Sequence, residues 1–324
     1  MARTRRRSKR PRRPINGRVV AITGGARGLG LAMAEAISAR GGRVAIGDLD
    51  ADLAAAEAAR LPHDAVGLPL DVTDHESFAR FLEDVEARLG PLDVLVNNAG
   101  IMVVEPFLAE PEVLTRRQFE INVHGVITGM RLAIPGMQQR RSGHVVNVAS
   151  AAGKIGVAGE AVYVATKHAV VGLSEAVRYE LRGTGVEMSV VMPGLANTEL
   201  ASGMSAGRGV KLVEPHEVAT AVVDALENPR LNVYVPSSLD GLFRFSALLP
   251  QAARDAMNRL FQTDQIATKV DKTARAAYAA RASAGVTGGD GASPEAAAAV
   301  SSSGADGEAL APGEPAAVSR ETTS

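Results

Sequence analysis

The sequence contains no cysteine, which excludes disulfides and thiolate metal sites. Its six histidines, His63, His75, His124, His144, His168 and His216, are scattered without the paired spacing of metal ligands, which argues against a metal enzyme. No apolar run reaches the ~18 residues needed to cross a bilayer. No apolar stretch follows the basic start of the chain as it does in a secretory signal. The expectation is a soluble protein of a reducing, cytoplasmic compartment.

What is present is a chain of 324 residues, 46% hydrophobic and 22% charged, long enough to bury a substantial core. The net charge of −1 hides an asymmetry, because residues 1–13 carry eight Lys/Arg and no acid while residues 282–324 carry six acids and one arginine. Residues 1–14 read as a disordered basic arm. Residues 282–324, rich in Ala, Gly, Ser and Pro, read as a disordered tail. The arm has no interleaved aromatic and no recognition fold follows it, so it supports weak, nonspecific attraction to nucleic acid or anionic lipid at most.

Between the tails, short apolar runs alternate with amphipathic stretches. The runs are Val19–Thr23, Arg43–Gly47, Ala65–Leu70, Leu92–Val96, His144–Val148, Glu187–Met192 and Asn232–Val235. Helical patterns such as Leu31–Arg40, Asp74–Leu89 and Glu160–Leu181 lie between them, and Thr73 with Glu76 reads as a capping box. Strands alternating with helices imply right-handed crossovers and a parallel sheet covered on both faces. The expected fold is α/β: one doubly wound Rossmann-type domain with a seven-stranded parallel sheet. Beyond Val235 the alternation stops, and two short helices, Leu239–Leu249 and Ala252–Phe261, break at Pro250.

The turn from Thr23 to Gly30 sits between the first strand and the first helix. Glycines 24, 28 and 30 allow a tight turn, close approach of the backbone to a pyrophosphate, and close helix–strand packing. Asp48, ending the second strand, can accept hydrogen bonds from both adenosine ribose hydroxyls and would repel a 2′-phosphate. Arg27 pulls the other way, since it could pair with that phosphate. Asp48 lies at the ribose itself, so NAD is favoured and NADP is the alternative. The plainer reading of Asp48 is a strand-end acid that caps the following turn.

Tyr163 and Lys167 share one helix face a turn apart. A phenol of pKa ~10 must fall by ~3 units, or ~4 kcal/mol, to act as a base near neutral pH. One cation ~4 Å away at an effective dielectric of ~20 is worth about that much. Alone, the pattern is common in surface helices. His168 points about 100° away from Lys167 and reads as packing or surface.

Together these residues resemble the short-chain dehydrogenase/reductase family over about residues 15–236, which would make up the catalytic domain. The resemblance implies that Thr23, Gly24, Arg27, Gly28, Leu29 and Gly30 hold the cofactor, with Asp48 and Leu49 at the adenosine. It places Asp71 and Val72 at the adenine ring. Asn97, Asn98, Ala99 and Gly100 match a family motif that supports the sheet and lines the adenosine side. Pro193, Gly194 and Thr198 match the segment along the nicotinamide.

By the same resemblance Ser150 and Tyr163 flank the reacting oxygen and touch substrate. Lys167 would support Tyr163 and hydrogen-bond the nicotinamide ribose, and Asn122 would hold a water linking Lys167 to solvent. Tyr163 would be base in oxidation and acid in reduction. The implied activity is NAD(P)-dependent interconversion of a secondary or primary alcohol and its carbonyl compound. The implied assembly is a homodimer or homotetramer.

Each residue alone has a plainer role: Ser150 a strand-end cap, Tyr163 a half-buried aromatic, Lys167 a solvated helix residue, Asn122 a polar break in a helix. The rival function is a non-catalytic dinucleotide sensor of the same fold, which would be expected to lose Tyr163 or Lys167. A scaffold bound to nucleic acid or membrane rests on the tails alone.

Residues 195–214 read as a loop that closes over substrate. In the helical extension, residues 237–281, the side chains of Leu242, Phe243, Phe245, Leu248 and Leu249 offer more apolar surface than a solvated helix needs. That surface could roof the pocket, build a subunit interface, rest peripherally on a membrane, or pack on the domain's own core. A hydrophobic alcohol or ketone, such as a steroid, retinoid or lipid-derived compound, is the expected substrate.

Overall fold

Runs of Val, Ile and Leu apolar on both sides can be strands only where helices cover both faces of the sheet, and the protein meets that requirement. The computed structural model describes residues 13–204, 212–261 and 270–283. In chain order the first half contains β1 (Val19–Thr23), α1 (Gly28–Ser38), β2 (Arg43–Asp48), α2 (Ala51–Ala59), β3 (Val66–Pro69), α3 (His75–Leu89), β4 (Val94–Asn97) and α4 (Glu112–Phe119). A π-helical turn, Glu120–His124, joins α4 to α5 (Gly125–Gln139). Then follow β5 (Gly143–Val148), α6 (Ala161–Glu180), β6 (Val186–Pro193), α7 (Pro215–Glu227), β7 (Asn232–Val235), α8 (Ser238–Ala247), α9 (Gln251–Phe261) and α10 (Lys272–Ser283). The seven strands form one parallel sheet in the order β3-β2-β1-β4-β5-β6-β7. The winding reverses between β1 and β4, and the crevice for a ligand opens at the C-terminal ends of these strands.

Alternate residues of each strand face opposite sides. Val20 and Ile22 pack with Met33 and Ile37 of α1 and with Val222 and Leu226 of α7. Ala21 packs on the other face with Phe78, Phe81 and Val85 of α3, Met137 of α5 and Val170 of α6. Two cores therefore hold the sheet rigid beneath the crevice.

Element boundaries depart from the sequence reading where side chains capture backbone groups. β4 starts two residues later than the apolar run, because the Leu92 N–H donates to Glu86 and its carbonyl accepts from Arg140. The cap of α3 is Asp74 rather than Thr73: its carboxylate accepts from the N–H groups of Glu76 and Ser77, while Thr73 turns both its N–H and its hydroxyl onto Asp71.

Residues 13 and 14, expected within the basic arm, are among the described residues. The Arg13 guanidinium donates to Glu187 at 2.9 Å and its N–H to the Glu227 carbonyl, which ties this residue to the domain. Residues 1–12, 205–211, 262–269 and 284–324, which include most of the expected arm and tail, lie outside the described residues. Among the described residues no helix is long and apolar enough to cross a membrane.

Candidate active site

The glycine turn is built for close approach. Gly24 and Gly28 have φ of +60° and +55°, where a side chain is strained. A Cβ on Gly24 would stand 2.9 Å from the Ala99 Cα, and one on Gly30 would run into the Gly24 carbonyl. No side chain caps the first N–H groups of α1, so these donors and the positive end of the helix face the crevice, as a pyrophosphate requires. A Cβ on Gly28 would meet the Thr198 methyl at 3.6 Å, so the turn and the segment after β6 form opposite banks. Leu29 and Gly30 belong to the first turn of α1. These features fit a dinucleotide.

The strand ends support the cradle. Asn98 donates from its amide to the carbonyls of Thr23 and Gly24, while the Thr23 hydroxyl accepts from the N–H groups of Asn98 and Ala99. Asp48 does cap the turn, accepting from the Ala26 N–H at 3.1 Å and from the Asp50 N–H at 3.2 Å. Arg27 does not hang free in solvent; its guanidinium pairs with Asp50 at 2.7 Å. Leu49 is 65% exposed beside Asp48, an apolar surface available to a flat ring. Asp71 folds onto Thr73, Val72 lies against Gly125, and Pro193 leads into Gly194, whose N–H donates to Val235.

Ser150, Tyr163, Lys167 and Asn122 come together at the ends of β5 and β4. The Ser150 hydroxyl oxygen accepts from the Ala152 N–H at 3.1 Å, so it is a strand-end cap, and the hydroxyl stands near enough to the Tyr163 phenol to favour its charged form. Lys167 is 5% exposed, not solvated; its Nζ lies 5.5 Å from the Tyr163 ring centre and donates to the Val148 carbonyl at 3.0 Å. A Cβ on Gly100 would stand 3.6 Å from this Nζ and a tighter 3.1 Å from the Asn122 Oδ1.

Asn122 sits in the π-helical turn, a kind of irregularity frequent at functional sites. Its amide is fully engaged: Oδ1 accepts from the Ile101 N–H, and Nδ2 donates to the Ile101 carbonyl and the Thr166 hydroxyl. The side chain braces α6 against the segment after β4. His168 bonds the Val164 carbonyl on the exposed side of α6.

Electrostatics correct the simple ion-pair estimate. Burial pushes the Tyr163 phenol above its ordinary value, with Glu160 adding to the rise and the Ser150 hydroxyl opposing it. Burial also lowers the Lys167 ammonium to about 8. Desolvation outweighs attraction because both groups lie inside the protein, where the charged forms are disfavoured.

Two features gave little signal in the sequence. Glu160, 5% exposed just before α6, is raised to about 7 by burial. Arg275 and Tyr278 arrive from α10, an Ala-rich helix far from the family motifs, whose high helix propensity was the available clue. The apolar extension residues divide: Phe243 packs on Tyr234, whereas Leu242, Phe245 and Leu248 remain exposed.

Residues 18–209 match the family model for short-chain dehydrogenases. The ketoacyl reductase HetN of Nostoc sp. is 31% identical over 274 residues, 76% of this chain and 95% of that protein. The 1-deoxy-11-beta-hydroxypentalenate dehydrogenase of Streptomyces exfoliatus is 33% identical over 239 residues, 71% of this chain and 86% of that one. A short-chain dehydrogenase/reductase of Burkholderia phymatum, solved in complex with NAD, superposes with a TM-score of 0.66 at 25% identity, covering 72% of this chain and 93% of that one. The chain belongs to the short-chain dehydrogenase family of nicotinamide-dinucleotide oxidoreductases.

Proposed function

We propose that the chain interconverts a secondary or primary alcohol and its carbonyl compound by hydride transfer, using NAD, with Tyr163 as general acid/base. The observation that carries this reading is the meeting of the buried Tyr163 phenol and Lys167 ammonium with the half-buried Ser150 hydroxyl. Bound in the cradle described above, the cofactor would supply the hydride acceptor in oxidation and the donor in reduction. Ser150 donates a hydrogen bond to the substrate oxygen and steadies charge as it develops. Tyr163 takes the hydroxyl proton in oxidation and returns it in reduction. Lys167, anchored on Val148, orients the phenol and reaches the nicotinamide ribose.

NAD is favoured over NADP because Asp48 and Asp50 both stand at the ribose end of β2, and Arg27 is already paired. A 2′-phosphate would meet two carboxylates before finding a cation. The NAD bound to the Burkholderia phymatum relative agrees with this choice.

A hydrophobic substrate is favoured by the wall around the phenol. Met102, Ala152 and Tyr163 cluster with Val104, Val157, Val164, Leu200 and Met204. That one relative is named as a ketoacyl reductase and another as a hydroxypentalenate dehydrogenase supports alcohol–carbonyl chemistry. The test is initial rates on a panel of secondary alcohols, small to steroid-sized, with NAD and NADP. NAD-linked oxidation of apolar members is expected, and no oxidation of any alcohol with either cofactor would contradict the reading.

A further inference from the structure

Arg275 is 6% exposed, and an arginine is rarely this buried unless its donors are matched. Three backbone carbonyls receive them. The guanidinium donates to the carbonyls of Met102 at 2.6 Å, Leu200 at 2.8 Å and Ser202 at 3.3 Å. Tyr278, one turn further along α10, accepts the Met102 N–H at 2.8 Å, and its ring lies 4.8 Å from the guanidinium. Both backbone polar groups of Met102 are therefore held by a single helix.

Met102 matters because its side chain packs in the cluster that contains Tyr163. Leu200 and Met204 belong to the same cluster from the segment after β6. α10 is stitched along that segment as well, by the Arg281–Glu199 ion pair and by the Asp271 N–H on the Gly203 carbonyl. Burial lowers the Arg275 guanidinium from its ordinary value, and Tyr278, Glu160 and Glu105 oppose the fall.

We propose that Arg275 and Tyr278 are positioning residues, which fasten the segments after β4 and β6 to α10 and so fix the substrate wall around Tyr163. The proposal rests on the hydride-transfer reading of that site. An arginine suits the task because its planar fork spans carbonyls on two segments, which a lysine ammonium cannot do.

The test uses the full-length chain and two readouts. Amide hydrogen exchange is measured in wild type, Arg275→Ala, Arg275→Lys and Tyr278→Phe. Kinetics are measured with NAD on isopropanol, cyclohexanol and cyclododecanol. In Arg275→Ala, exchange across residues 101–104 and 199–204 accelerates about tenfold or more, the factor that loss of one charge-assisted hydrogen bond carries. KM rises by a similar factor while kcat falls less and NAD affinity holds. Arg275→Lys lies between the two. In Tyr278→Phe only the Met102 amide loses protection, which keeps the fastening testable if Arg275→Ala unfolds. If wild type oxidises none of the alcohols, the hydride-transfer reading falls for that class, and exchange still judges the fastening. Unchanged Met102 exchange in Tyr278→Phe, or kcat, KM and NAD affinity failing in step with the melting temperature in Arg275→Ala, would overturn the proposal.

Discussion

The Lys167 ammonium donates to the Val148 carbonyl at 3.0 Å, which pins the tip of a long side chain from α6 to the end of β5. That anchor places a cation beside Tyr163 without leaving it in solvent. In Lys167→Ala, turnover is expected to fall ~10²-fold or more, since the acid/base partner loses its support. NAD affinity should fall about tenfold with the lost ribose hydrogen bond. Steady-state kinetics with a separate NAD titration check both. A variant that lost turnover but kept full NAD affinity would remove the ribose from the role of Lys167.

Asp48 closes the glycine turn by accepting from the Ala26 N–H, and in the proposed complex it also accepts from the adenosine ribose. Asp48→Ala should weaken NAD binding by about tenfold, as loss of one or two hydrogen bonds implies, and should narrow the preference over NADP. The check is initial rates with each cofactor in wild type and variant. A clear wild-type preference for NADPH would contradict this part of the account.

Much of this was legible in the sequence, for identifiable reasons. Val19–Thr23 and Asn232–Val235 are bounded as their apolar runs suggested, and Gly24, Gly28 and Gly30 mark a turn that few other residues could make. Leu92 read as strand because apolar character alone does not show that its backbone is captured by the side chains of Glu86, in the preceding helix, and of Arg140, far along the chain. The sign of the Tyr163 shift was hidden for a related reason: spacing along a helix shows a neighbour, while burial depends on everything packed around it. Arg275 was hardest, because a charged residue in an Ala-rich segment reads as surface until its three backbone acceptors are in view.

Glu160 makes stability depend on pH. Burial raises its carboxyl from 4.5 to about 7, so the folded chain keeps a proton that the unfolded chain releases. Its contribution is complete below the ordinary value and is lost as pH rises through about 7. The change is on the order of 3 kcal/mol. Wild type should therefore gain melting temperature between pH 7 and 5 relative to Glu160→Gln, which stays neutral throughout. Parallel melting curves for the two proteins would show that Glu160 is not the group responsible.

The N-terminal boundary also has a functional consequence. Deleting residues 1–12 should leave kcat and KM unchanged. Deleting through Ile15, which is buried, removes the Arg13–Glu187 pair and apolar surface worth about 1.5–3 kcal/mol. Thermal melts and kinetics of the two truncations separate these outcomes, and a large activity loss in the shorter deletion would make the basic arm functional.

In the proposed reaction the Tyr163 phenol carries the proton while the cradle around the glycine turn carries the cofactor. The most direct test is Tyr163→Phe, with kcat measured on an alcohol that wild type oxidises and NAD affinity measured separately by titration. The expected result is a kcat lowered by ~10²–10⁴, the usual contribution of a positioned acid/base, with NAD affinity nearly intact. Wild-type-like turnover in Tyr163→Phe would contradict it.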